Sequence, residues 1–290
     1  MTIRHLKIFI KVADCNSMTM AAQELFISQP TVSQAITDLE KFYGIKLFER
    51  LNRRLFLTAK GKQLLSYARH VTALMAEMDQ VIQNPDENCL LSIGATLTIG
   101  ECLLPKLVNI FLKQYPDMQI NATIKNTIEI EKLIMLNEVD FALIEGFRHS
   151  SDIIFEPFAN DELVLVCSYA HPLSHKNVLT HKEAAEIAFL VREKGSGTRE
   201  LFENTMSVHE INWHPSWECS GSDILKSAAL NGIGVAVISK QLVQHELNEG
   251  SLQTITIEGI ELKRKFNLAY HKNKYITESM KTFISMCKNI

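Results

Sequence analysis

At 290 residues, with 46% apolar and 22% charged, the chain is long enough for two or three domains, and its ordinary composition excludes a disordered or low-complexity protein. No stretch approaches the ~20 apolar residues of a membrane span, and the start, Met1-Thr2-Ile3-Arg4-His5, opens onto an amphipathic pattern, so a cytoplasmic protein without a membrane partner is expected. The formal charge of −3 hides an asymmetry. Residues 1–70 hold 11 Lys and Arg against 5 Asp and Glu, a net of +6, and the remainder carries −9. That division predicts a polyanion-binding head on a body that need not touch the polyanion.

Leu6, Phe9, Ile10 and Ala13 recur at helical spacing and predict a first helix over residues 3–14. A second is expected over about 18–26, with Ala21, Ala22 and Leu25 inward. Ser28 offers an N-cap, and Pro30 falls in the next first turn, where its missing N–H costs nothing. In that third helix Val32, Ile36 and Leu39 form the buried stripe, and Gly44 ends it. Its outer face is polar. Two short helices around a tight Ile27-Ser28 turn make a helix-turn-helix. Leu47 to Leu57 then reads as a small hairpin with arginines at its tip, a wing able to reach phosphates or a minor groove. The expected contacts to double-stranded DNA are Thr19, Ser28, Gln29, Pro30, Thr31, Ser33, Gln34, Thr37, Arg50 and Arg53.

Several runs together resemble the LysR-type transcriptional regulators of bacteria: Ser17-Met18-Thr19-Met20-Ala21-Ala22, Ser28-Gln29-Pro30-Thr31-Val32-Ser33, Leu47-Phe48-Glu49-Arg50 and Leu57-Thr58-Ala59-Lys60-Gly61. Met20 and Gln34 stand where that family often has a basic residue, but the Gln34 amide can still read an adenine edge. The resemblance implies a homodimer or homotetramer, RNA polymerase as a partner, and no enzymatic activity. Thr58 can cap a helix running to about Gln83, in which Leu64, Ala68, Val71, Met75, Met78 and Ile82 follow the spacing of a coiled-coil seam. The seam predicts dimerisation; packing along the body is the alternative. Asn84-Pro85-Asp86-Glu87-Asn88 marks a boundary.

From Leu90 short apolar runs alternate with helical stretches, which means an α/β domain with mostly parallel strands and a ligand site at their carboxyl ends. The expected order is a strand over 90–95, a helix over 100–115 broken near Pro105, a strand over 118–124, a helix over 128–136 and a strand over 139–145. Further strands are expected over 163–168, 189–191 and 235–238, with a helix over 223–230. Overall the fold class is α/β: a winged helix-turn-helix over 1–58, a linker helix over 59–87, and an effector domain over 88–290. The resemblance implies that this last domain is periplasmic-binding-protein-like, with lobe I at about 88–160 and 266–290 and lobe II at about 161–265.

Three strand-to-helix junctions carry candidate effector groups: Thr96 and Thr98; Ser196 and Thr198; Ser220 and Ser222. Glu145 and Gly146, ending a strand, join them. Helix N-termini supply unpaired N–H groups and partial positive charge, so three such junctions on one cleft predict a small carboxylate or oxyanion. In Gly195-Ser196-Gly197-Thr198-Arg199, Lys194 replaces the proline usual in the related branch of the family, and Gly221 stands where that branch often has Ser. No cofactor and no metal are expected. His209 and His214 miss the zinc-helix spacing by one residue, Pro172 interrupts His171 and His175, and Gly195-Ser196-Gly197 is no nucleophile elbow.

The six cysteines are Cys15, Cys89, Cys102, Cys167, Cys219 and Cys287; they are scattered, and several lie in apolar runs that predict reduced thiols. The alternative to effector control is an effector-independent regulator, or one switched by oxidation of Cys167 and Cys219. A solute-binding protein and an enzyme on the same scaffold are the remaining rivals. The first lacks a signal segment, the second a catalytic constellation.

Overall fold

The structure is a computed structural model that describes residues 1–51, 54–83 and 90–289. Contacts divide the chain into two compact units, Met1–Asn88 with Asn273–Tyr275, and Cys89–Lys272 with Ile276–Ile290.

The first unit opens with α1 (Ile3–Cys15), α2 (Met18–Glu24) and α3 (Gln29–Tyr43). The hairpin β1 (Phe48–Leu51) and β2 (Arg54–Leu57) follows, then α4 (Ala59–Gln83). Every helix start has its own side-chain cap, which satisfies amides the helix cannot. Thr2 accepts from the His5 amide, Ser17 from Met20, Ser28 from Thr31 and Thr58 from Gly61. The second helix stops at Glu24, two residues short of expectation. Phe26 there adopts φ 53°, which no continuing helix allows. Phe9, Val12, Val32, Ile36, Leu39 and Leu47 fill the core.

Helix α4 divides the predicted seam. Leu64 packs against this same core and Ala68 is buried in it, whereas Val71, Met75 and Met78 are exposed. The first part of the stripe therefore serves the head, and only the later part is free to meet another helix. The side chain of Ile82 lies outside the described residues, as do Arg53 at the wing tip and the 84–88 boundary.

The second unit begins with β3 (Leu90–Thr96), α5 (Leu97–Cys102), α6 (Leu104–Gln114), β4 (Gln119–Lys125), α7 (Thr127–Met135) and β5 (Phe141–Glu145). The 16-residue strand β6 (Ile153–Ser168) then leaves one lobe and enters the other. The second lobe holds β7 (Val178–Leu179), α8 (His181–Glu186), β8 (Ala188–Arg192), α9 (Gly197–Val208), β9 (His214–Cys219), α10 (Ser222–Leu230), β10 (Val235–Ser239), α11 (Gln244–Glu249) and β11 (Leu252–Ile257). Strand β12 (Lys263–His271) returns, and α12 (Glu278–Lys288) closes the first core through Met280 and Phe283.

The sheet order β4-β3-β5-β12-β6 makes one lobe, and β9-β8-β10-β6-β11 the other. Strand β6 pairs with β12 from Ile153 to Glu162, and with β10 from Leu163 to Val166. Most strands of each lobe run in one direction, as expected, with one strand reversed in each. β3, β4 and β5 are parallel in the first lobe, where β12 runs antiparallel to β5; β8, β9 and β10 are parallel in the second, where β6 runs antiparallel to β10 and β11. A strand that serves both lobes must enter one of them against the local direction.

Three local expectations shift. The break in the 100–115 helix falls at Leu103, and Pro105 sits in the first turn of α6, where proline is tolerated. Thr98 lies inside α5, which starts at Leu97. The strand expected over 163–168 is only the second half of β6; its first half contains Pro157, opposite Asn267 beside a bulge. Proline demotes a strand in any sequence reading, yet a bulge absorbs its missing donor.

Candidate functional site

In the head, Thr19, Gln29, Pro30, Thr31 and Gln34 are exposed, and Ser33 and Thr37 are half-buried, on α2 and α3. Not all of them are free. The Ser28 hydroxyl caps α3 and lies 2.8 Å from the Thr31 hydroxyl. Thr37 donates to the Ser33 carbonyl at 2.9 Å, and the Gln34 amide donates to Asp38 at 2.8 Å. A base edge must therefore take Gln34 from Asp38, whereas Gln29 is exposed on the first turn of the same helix. The backbone of Arg50 pairs with Leu55 in the wing. Glu40 anchors that wing from within α3. It accepts from Lys46 and from the Leu47 and Phe48 amides at 2.6, 2.9 and 3.4 Å. Burial raises its carboxyl, but those hydrogen bonds outweigh burial and hold it below the usual carboxylate range.

In the body, Thr96, Thr98, Glu145, Ser196, Thr198 and Ser222 are all at most 3% exposed. Ser220 is exposed. Thr96 caps α5 without a side-chain cap bond, because its hydroxyl donates to the Glu145 carboxylate instead. The two lobes touch at this point. A Cβ on Gly197 would lie 2.8 Å from the Gly146 Cα and 2.5 Å from the Glu145 carbonyl, and Gly146 itself has φ 110°. Only glycine permits that approach.

Between the lobes lies Arg264, whose side chain is 5% exposed. It donates from Nε to Asp161 at 2.7 Å, from Nη1 to Thr198 at 2.9 Å, and from Nη2 to Thr98 at 3.2 Å. Glu145 Oε1 stands 3.9 Å from Nη1. Asp161 in turn accepts from the Ser239 hydroxyl at 2.7 Å. One guanidinium thus holds a threonine from each lobe and a carboxylate on a crossover strand, with the planar fork that lysine lacks. Nearby, Arg192 forks onto Glu193 at 2.9 and 3.0 Å and donates to Ser222 at 3.4 Å.

Residues 3–62 match the bacterial regulatory helix-turn-helix protein, lysR family, and residues 86–289 match the LysR substrate binding domain. The chain belongs to the LysR family of transcriptional regulators. It is 30% identical over 286 residues to the uncharacterized HTH-type transcriptional regulator YeiE of Escherichia coli (strain K12), covering 99% of this chain and 97% of that protein. It is equally 30% identical to the HTH-type transcriptional regulator CysL of Bacillus subtilis (strain 168), covering 98% of this chain and 96% of CysL. In fold, the second unit is similar to the regulatory domain of CcmR from Synechocystis PCC6803, solved in complex with 2-PG. That match has a TM-score of 0.64 at 24% identity and covers 69% of this chain and 96% of that domain.

This LysR-family regulator is a DNA-binding protein with an effector domain, and three of its cleft residues escaped the sequence. Arg264 comes from β12, Asp161 from β6 and Thr127 from α7. The Thr127 hydroxyl donates to the Glu145 carbonyl at 2.9 Å and accepts from the Gly197 amide at 3.0 Å, tying the lobes together. A usable signal existed for the first two. The basic run Lys263-Arg264-Lys265 before Phe266, and the acidic Asp161-Glu162 at the opposite crossover, are complementary charges where the chain changes lobes.

Burial pushes the Cys167 and Cys219 thiols up and the Cys102 thiol up to about 12, away from the thiolate that oxidation requires. Among the described residues no three His, Cys, Asp or Glu side chains group as metal ligands, and no helix is long and apolar enough to cross a membrane.

Proposed function

We propose that the regulator reads its operator with the outer face of α3, Gln29 and Gln34 foremost, with Thr19, Ser28, Pro30, Thr31, Ser33 and Thr37 lining the same surface and Arg50 and Arg53 of the wing on the backbone or in the minor groove. A small anionic metabolite bound between the lobes, at Thr96, Thr98, Ser196 and Thr198 with Glu145, Gly146, Ser220 and Ser222 around them, biases its activity. Two copies join through the exposed seam of α4 and place two heads on two half-sites. The assembled dimer or tetramer acts on RNA polymerase in the cytoplasm, as a binding protein and not an enzyme.

One observation carries the effector reading: hydroxyls from both lobes are buried together on a single guanidinium, Arg264, where the lobes meet. A ligand that enters there must remake contacts belonging to both lobes, and only such differential contacts can shift a two-state equilibrium. The 2-PG held by the CcmR domain supports a small anion on this fold.

Gln34→Ala tests the head. It is expected to lose about 1–3 kcal/mol of discrimination at one base pair of the operator, measured by competition among operator variants. Unchanged discrimination removes Gln34 from the reading set.

A further inference from the structure

Beside the neutral pair of Arg192 and Glu193 at Ser222, the cleft holds one guanidinium, on Arg264, against two carboxylates, on Glu145 and Asp161, these three all at most 5% exposed at the side chain. A bare anion would bring a third negative charge into that enclosure, where charges are poorly screened. Asp161 is satisfied on both oxygens, by Ser239 and Arg264. Glu145 is not. Its Oε2 takes the Thr96 hydroxyl, but Oε1 has only Arg264 Nη1 near it, at 3.9 Å, beyond hydrogen-bond range. Among the described residues, no donor serves that oxygen.

A second group in the cleft is also unpartnered. Ser196 is 2% exposed and is the N-cap of the 12-residue α9, yet its side chain makes no cap bond. Apart from the Gly197 amide, which donates to Thr127, the first turn of α9 consequently keeps amides and a hydroxyl free to donate, beside Thr198. The enclosure thus offers an acceptor lacking a donor and a set of donors lacking an acceptor. Thr198 Oγ1 and Glu145 Oε1 lie 2.9 and 3.9 Å from the same guanidinium nitrogen.

From this pairing we infer that the effector is an ammonium-bearing acid of α-amino-acid type, its carboxylate on Ser196 and the start of α9 and its ammonium on Glu145 Oε1. The inference rests on the effector cleft proposed above, keeps its carboxylate and adds a cation, so that the ligand is a zwitterion and not a bare anion. An ammonium offsets the added carboxylate, so the enclosure gains no net charge, and it supplies the donor that Oε1 lacks. A hydroxy acid supplies the donor but not the charge. An unsubstituted acid supplies neither.

The test uses the full chain and calorimetric titration with the twenty amino acids, the α-hydroxy and unsubstituted acids of matching skeleton, sulfate and phosphate. At least one amino acid is expected to bind about tenfold to hundredfold more tightly than its unsubstituted partner, with the hydroxy acid between them. Glu145→Gln is expected to erase that ratio, and Ser196→Trp to abolish binding. Binding by sulfate, phosphate or an unsubstituted acid that equals or exceeds that of every amino acid, and is lost in Ser196→Trp, overturns the ammonium and leaves the cleft standing. Amino-acid binding that survives Ser196→Trp overturns both. The ratio among matched acids is read on the unaltered protein, so a poorly folding Glu145→Gln chain does not shelter the inference.

Discussion

The two ends of this regulator keep their polar groups in opposite conditions. On α3 the groups proposed to read DNA are exposed or half-buried and make short-range bonds within their own helix, such as Gln34 to Asp38 and Thr37 to Ser33. In the cleft most of the proposed effector groups are buried, and Thr98 and Thr198 are bonded across the lobes, both to Arg264. Exposed groups lose little when a partner is absent, because water replaces it. Asp161, Thr98 and Thr198 are satisfied internally by the counter-ion Arg264, so a ligand that takes those atoms acts by exchange. Gln34 apart, the head works by addition, whereas around Arg264 the body works by substitution.

Arg264→Leu breaks that contrast most severely. It leaves the Asp161 and Glu145 carboxylates buried without their cation, and removal of one partner from a buried pair costs about 3–5 kcal/mol. Urea unfolding of the full chain measures it. Arg264→Lys is not expected to restore the loss, because one ammonium cannot span Asp161, Thr98 and Thr198 as the fork does. A loss under about 1 kcal/mol, the scale of an exposed pair, shows that water already screens the cluster.

The same contrast explains what the sequence reveals. In the head, caps, periodicity and turn lie within a few residues of each other, so Ser28, Pro30 and Gly44 announce α3 from its own segment. Its one local error, the end of α2, comes from Phe26 in a conformation that bulky residues avoid. In the body, junction residues such as Thr96 and Ser196 are legible as helix starts. Their partners are not: Arg264 lies 166 residues from Thr98 and 103 from Asp161, and only the pairing of β12 with β6 brings them together. Periodicity carries no information at such separations. Strand β6 shows the same limit, since one half reads as an apolar run and the other, with Pro157, does not.

Gly61→Ala probes the head at a smaller scale. An added Cβ there would lie 2.2 Å from the Leu47 carbonyl oxygen and 2.9 Å from a Leu57 methyl, between the first turn of α4 and the root of the wing. Backbone cannot yield as a flexible side chain does, and overpacking of this kind costs about 1–3 kcal/mol. Thermal unfolding is expected to fall together with operator affinity, since α4 and the wing must separate. Effector titration of the same protein is expected to be unchanged. A shift in effector affinity sinks the division into an additive head and an exchanging body.

The smallest effect sharpens the account of how the lobes stay closed. His149 follows β5 in the first lobe; its Nδ1 lies 3.3 Å from Glu131 on α7, and its Nε2 lies 3.0 Å from Glu200 on α9, in the other lobe. Burial pushes the imidazole down, but the Glu200 hydrogen bond and the Glu131 and Glu200 charges outweigh it and raise the group above its ordinary 6.5. A raised value in the folded state means that the stabilising contribution is fully present below 6.5 and is lost as pH climbs through the raised value. The melting temperature is therefore expected to decline as pH rises above 6.5 and through the raised value, and His149→Gln to flatten that part of the profile. The ring is about one-third exposed, so solvent screens the pair and the slope is small. An unaltered profile in His149→Gln shows that the lobes are held by contacts such as those of Thr127, Ile128 and Arg264, without a protonated bridge at their rim.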